Sequence, residues 1–173
     1  KDIVCYEKND QIGGNWVYTA NSSHSSISKT THVISSKAMS QFSDFAMPED
    51  YPDYPSHKQI LAYFQAYARH FQLEKYIHFN AAVLHVEKTT NERWRLSLCD
   101  GTQTEFDYLI VANGHHAVPR HPSWKTDFSG KYLHAHEFKT NEDLDDKRLL
   151  VVGAGNSDRK STRLNSSHDN TSR

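Results

Sequence analysis

Apolar positions along the chain change period several times, and each change marks an element. Ile60, Leu61, Phe64, Ala68 and Phe71 recur at i, i+1, i+4, i+8 and i+11, the stripe of one helical face. Ser56 precedes the stripe and Gln59 stands three residues on, a capping box, so a helix is expected from Ser56 to about Phe71. The period then falls toward two. Ile77–Phe79, Ala81–Lys88 and Arg93–Cys99 read as strands, and Asp100-Gly101 turns the last of these into Thr104–Asp107. Phe106–Val111 is a nearly continuous apolar run ending in Ala112-Asn113-Gly114, which predicts a buried parallel strand. Leu149–Val152 is a second strand-like run, broken by Gly153-Ala154-Gly155. Asp44–Pro55 is punctuated by proline and predicts an extended wrapping segment whose aromatics cover apolar surface. Asn21–Ser28 is rich in Ser and His and predicts a surface loop.

Strands alternating with helix and ending in small-residue turns predict an α/β fold, and ligands of such folds lie at the carboxyl ends of the strands. Ile3–Glu7 is a short strand that ends in an acid. In a dinucleotide-binding unit such an acid accepts hydrogen bonds from a ribose hydroxyl, and Glu7 fits that role. Taken alone, a residue such as Glu7 is more often a solvated strand-end carboxylate. The paired glycines Gly13 and Gly14 allow backbone to approach a flavin or pyrophosphate closely; the plainer reading is a loop beside a buried Trp16. Asn113 and Gly114 end a strand and are expected to face a ligand. Gly153 and Gly155 form a phosphate-type turn, which by itself is a weak signal.

Charge alters the picture little. There are 20 basic and 21 acidic residues in 173, so nothing argues for nucleic acid or a membrane surface as partner. No apolar run reaches the length of a membrane span. Of the 12 histidines, His115-His116 and the His134/His136 pair stand close in sequence. No acid or cysteine joins either pair at ligand spacing, so no metal is expected. The two cysteines, Cys5 and Cys99, fall in predicted strands and read as buried free thiols of a reducing compartment, which gives a cytoplasmic expectation.

Five motifs in order carry a family resemblance: Ile12-Gly13-Gly14-Asn15-Trp16, the D-F-x-M-P-E-D-Y-P string from Asp44 to Pro52, Ala112-Asn113-Gly114, the F-x-G-x-x-x-H-x-x-x-F stretch from Phe128 to Phe138, and Gly153-Ala154-Gly155-Asn156-Ser157. Together they resemble the flavin-containing monooxygenases, with Baeyer–Villiger enzymes as near relations. The resemblance implies an FAD-binding Rossmann-like domain of the two-dinucleotide-binding flavoprotein type, carrying a small antiparallel meander. It implies that Trp16 packs beside the flavin and that the Ala82-Val83 backbone meets the adenine. It also implies that Gly153, Gly155, Asn156 and Ser157 cradle the NADP pyrophosphate, and that Phe128, Gly130 and His134 are structural residues of the link between the two cofactor domains. Relatives hold an Asn near the oxygen-reacting carbon of the flavin; here Ile34 occupies that position, so no catalytic residue is carried over. The implied reaction uses NADPH and O2 to oxygenate a nucleophilic amine or sulfide through a C4a-hydroperoxyflavin. Phe138 in the last place of the signature, where Baeyer–Villiger enzymes carry Trp, leans away from the ketone-oxygenating alternative.

The resemblance also shapes the expected domain plan. Residues 1–140 are expected to be a partial FAD-binding domain without its first strand and G-x-G-x-x-G turn, and 141–157 the start of an NADP-binding domain. After Ser157 the composition changes abruptly, and the helix that should follow the turn has no apolar period. Asp158–His168 back-translates in frame into a common sequencing-library adaptor, so 158–173 is expected to be a non-native tail and is left out of the fold reading. On this plan the chain is a truncated translation with no activity of its own.

Overall fold

The computed structural model describes residues 3–20, 24–142, 144, 148–153 and 155. Asn156, Ser157 and the tail from 158 lie outside the described residues. Strand β1 (Cys5–Tyr6) pairs in parallel with β2 (Ile77–His78), Cys5 against Ile77 and Tyr6 against His78. Between them run a short helix α1 (Lys37–Ser40) and the main helix α2 (His57–His70). Strands β3 (Val83–Lys88), β4 (Trp94–Leu98) and β5 (Gln103–Phe106) form an antiparallel meander in the order β3-β4-β5. The result is mixed α/β with the small antiparallel sheet that the sequence predicts.

Helix α2 begins where its capping box sets it. The Ser56 Oγ accepts from the Gln59 N–H, and Gln59 Oε1 accepts from the Ser56 N–H at 2.9 Å. These bonds satisfy two of the donors that a helix start leaves open. The buried face holds Ile60, Tyr63 and Ala68. Tyr63 was not on the expected stripe, yet it is the centre of the core with Met47 and Ile60. Trp16, Val33, Phe45, Tyr51 and Phe64 pack around that core.

The proline-punctuated segment wraps this core as expected, and a single lysine holds it. Lys37 Nζ donates to the Pro48, Glu49 and Tyr51 carbonyls at 3.3, 3.0 and 2.8 Å. An irregular segment has no ladder partners for its carbonyls, and an ammonium with three donors supplies them. In the meander, the Asp100-Gly101 turn is closed by the Thr102 N–H donating to Asp100 Oδ1 at 2.8 Å, with Gly101 at φ +87°. Arg95 lies opposite both Glu87 and Glu105 in the register and bonds each, at 3.1 and 2.9 Å. The Tyr6 hydroxyl meets Thr104 Oγ1 at 3.4 Å and so links the meander to β1.

Four expectations are corrected. Phe106–Val111 is not a buried parallel strand beyond β5: Tyr108 and Ile110 are 88% and 89% exposed. A parallel strand exists only with neighbours to take its hydrogen bonds and cover both faces, and among the described residues no strand lies beside this run. Leu149–Val152 is not a strand either, for the same reason, and Leu150 and Val152 are exposed. The loop before residue 29 is not on the surface: Ser25, Ile27 and Ser28 are buried. Its polar groups find partners inside. Ser25 Oγ donates to the Asn15 carbonyl at 2.7 Å, Asn15 Oδ1 accepts from Ser26, and Thr31 Oγ1 accepts from the Ser28 N–H. Finally, Cys5 and Cys99 are exposed free thiols rather than buried ones, Cys5 on a strand paired on one side and Cys99 just past the end of β4. No helix among the described residues is long and apolar enough to cross a membrane.

Candidate functional site

The chain folds back on itself at the end of β1. The Glu7 N–H donates to the His78 carbonyl at 3.0 Å, and the Ala81 N–H donates to the Glu7 carbonyl at 2.9 Å. The Asn80 N–H reaches the Asn9 carbonyl at 2.9 Å, with Asn80 at φ +56° to make the bend. These bonds set Glu7 beside the segment from His78 to Ala81. The Glu7 carboxylate is held in place: Oε1 accepts from both the Asn9 N–H (2.8 Å) and Asn9 Nδ2 (2.7 Å). Among the described residues Oε2 takes no hydrogen bond, so a half-exposed carboxylate oxygen is left to accept from a ligand hydroxyl.

Gly13 and Gly14 do different jobs. Gly13 has φ +136°, and a Cβ placed on it would lie 2.2 Å from Leu61 Cδ1 and 2.9 Å from Val17 Cγ2. It is the point where the loop lies flat on α2. Gly14 has φ +48°, and a Cβ there would meet nothing within 4 Å. This is an open backbone position of the kind a flat cofactor can approach. The turn from Gly14 to Trp16 is a short 3₁₀ segment closed by the Val17 N–H on the Gly14 carbonyl, and Trp16 is half-buried against the Met47–Tyr63 core.

The remaining candidates are not gathered here. Val83 is exposed at the start of β3, Asn113 and Gly114 sit on the exposed segment after β5, and Gly153 and Gly155 are exposed on the run that forms no strand. Among the described residues no hydrogen bond ties these later turns to Glu7 or Gly14. Ile34, at the position where relatives place Asn, is 70% exposed. Among the described residues, no group of three or more His, Cys, Asp or Glu could hold a metal ion.

The signature stretch builds a turn rather than a reactive centre. His134 Nδ1 accepts from the His136 N–H at 3.0 Å, and Glu137 Oε2 accepts from the His134 N–H at 3.1 Å. The exposed Phe128 ring folds over Gly130, its Cζ 2.5 Å from where a Cβ would be, so a side chain there would turn the ring outward. What sequence reasoning missed is the burial that follows this turn. His136 and Lys139 are only 5% and 8% exposed. Lys139 Nζ donates to the Ser25 carbonyl, and the Lys29 N–H donates to the Lys139 carbonyl at 2.8 Å, clasping the linker to the buried serine loop.

Burial pushes the His136 imidazole below the usual histidine range, and the Lys139 charge pushes the same way. Such a base is more easily protonated when the chain is unfolded, so the unfolded state binds more protons and stability falls as pH falls. The loss is expected to begin near the ordinary histidine pKa of about 6.5 and to grow below it. Melting midpoints between pH 7.5 and 5.5 check this: His136→Phe should flatten the slope, and an unchanged slope would refute the assignment to His136.

The family model described as flavin-binding monooxygenase-like matches residues 2–169. The chain belongs to that family. As a flavin-binding monooxygenase-like chain, it is 38% identical over 167 residues to flavin-containing monooxygenase 5 of Rattus norvegicus, covering 89% of this chain and 31% of the relative. It is 37% identical to dimethylaniline monooxygenase [N-oxide-forming] 2 of Cavia porcellus over the same shares. The chain therefore spans about a third of the length of the curated relatives it matches. Its fold is like that of S-allyl-L-cysteine S-oxygenase from Allium sativum, with a TM-score of 0.84 and 23% identity over 92% of this chain and 42% of that one.

Proposed function

We propose that this chain is part of an FAD- and NADPH-dependent monooxygenase that transfers one oxygen of O2 to a nucleophilic nitrogen or sulfur of a small molecule. The observation that carries the proposal is the family match across residues 2–169, with relatives whose names record N-oxide formation and a like-folded protein named as an S-oxygenase. The residues at the end of β1 fit the adenosine and flavin portions of FAD. Glu7 offers Oε2 to a ribose hydroxyl, while Asn9 fixes the other oxygen. Gly14 lets backbone come close, and Trp16 covers the core side and keeps water out. Once bound, the flavin supplies the redox and oxygen-activating chemistry. No side chain of this site is placed as a general acid or base, so the protein's share is binding, orientation and exclusion of water.

The NADP pyrophosphate is assigned to the turn from Gly153 to Ser157 by the family resemblance, and the compartment is taken as the cytoplasm. The full-length protein tests the reading. It should elute from desalting with a flavin absorption band, and NADPH oxidation should rise with tertiary amines or thioethers. Oxidation that stays at background with every amine and sulfide, yet rises with a ketone, would replace it with the Baeyer–Villiger reading. Within that protein, Glu7→Ala should lower flavin retention several-fold without changing the fold.

A further inference from the structure

We propose that the cavity walled by Lys131 and Lys139 binds a short-chain organic carboxylate. The cavity has a volume of about 200 Å3. Ligand pockets commonly run to roughly 300–1,000 Å3, so the occupant here is small. Its apolar wall comes from Ala20, Leu133, Phe138 and Leu144, and its cations are the two lysines. It lies between the linker turn and the chain after Trp16, and none of the residues assigned above to the flavin lines it.

The buried lysine is what asks for an anion. Lys139 is 8% exposed and makes one side-chain hydrogen bond, to the Ser25 carbonyl. No carboxylate pairs with it among the described residues, whereas Lys29 nearby has Glu142 at 3.4 Å. An ammonium has three donors, and burying its charge without a counter-ion is costly. His136, also buried, lies near enough to feel the Lys139 charge, and among the described residues its Nε2 has no hydrogen-bond partner. The acid that does line the cavity, Glu137, has Oε2 occupied by the His134 N–H. Its charge still opposes a doubly charged guest such as phosphate. A single negative charge on a short alkyl chain matches both the lysines and the apolar wall of the lining.

Sodium butyrate is the probe, with butyramide as the uncharged isostere and sodium chloride to hold ionic strength equal. Butyrate should raise the melting midpoint saturably and shift the amide resonances of Leu133 and Thr140, and butyramide should do neither. Lys131→Met, at an exposed position, should weaken the butyrate response several-fold. Lys139→Met should abolish it; if that variant fails to fold, the amide titration of the unaltered chain decides alone. Equal responses to butyrate and butyramide would overturn the proposal, and so would unmoved Leu133 and Thr140 amides. No flavin is added, so the outcome is independent of the monooxygenase reading.

Discussion

Gly13→Ala is expected to destabilise the chain by about 3 kcal/mol or more, a far larger loss than Gly14→Ala at the next position. The two glycines look alike in sequence, and both have positive φ. At Gly13 two costs add. A side chain at φ +136° is strained in itself, at about 1–3 kcal/mol. The new methyl also falls 2.2 Å from Leu61 Cδ1 and 2.9 Å from Val17 Cγ2. Leu61 can swing aside, but Val17 is branched at Cβ and nearly buried, so it yields little. Overpacking of this kind adds about 1–3 kcal/mol. At Gly14 the methyl meets open space, leaving only the left-handed penalty of about 1–2 kcal/mol. Urea unfolding of both variants checks the ranking. Adding Leu61→Ala to Gly13→Ala should return at most the Leu61 share of the loss, since the Val17 contact and the backbone strain remain. In the full-length protein the order should reverse for flavin: Gly14→Ala should keep the fold and weaken flavin retention. Equal stability losses at the two positions would sink the division of labour between them.

How much of this was legible depended on how local each signal is. The capping box at Ser56 and Gln59, the helical stripe of α2 and the Asp100-Gly101 turn all act within a few residues, and the structure contains each of them. Phe106–Val111 failed as a strand because an apolar run records only a capacity to be buried. A parallel partner comes from a distant part of a chain, and the described residues provide none beside it. Ser25 and Ser28 were misread for the opposite reason: serine is polar, but Asn15, Thr31 and Lys139 supply its hydrogen bonds indoors. At the proposed site, Glu7 and Gly14 stand out in the sequence because an acid-ended strand and paired glycines are local chemistry. The buried pair His136 and Lys139 could not, since nothing near them in sequence marks a lysine whose partner lies at Ser25.

Tyr63 is where the second large effect is expected. Tyr63→Ala should cost about 3–5 kcal/mol, the range for emptying a large buried aromatic site. The ring is 1% exposed, stacks on Phe42 at 5.8 Å between centroids and packs on Phe45 at 5.7 Å. Its hydroxyl does something a hydrophobic residue cannot. It accepts from the Phe42 N–H at 2.7 Å and donates to the Phe45 carbonyl at 2.5 Å. One side chain on α2 thus holds both ends of the Phe42–Phe45 bend, from which the proline-punctuated segment departs. Tyr63→Phe separates the two contributions. It keeps the ring but removes the hydroxyl partner of a part-buried donor and acceptor, at about 0.5–1.5 kcal/mol. Proteolysis should distinguish the variants as well. With the hydroxyl gone and the ring kept, cleavage should rise first between Phe42 and Tyr54, while α2 stays protected until global unfolding. If Tyr63→Phe matches the unaltered chain in both stability and cleavage, the bend is held by aromatic packing, and the hydroxyl bonds contribute nothing.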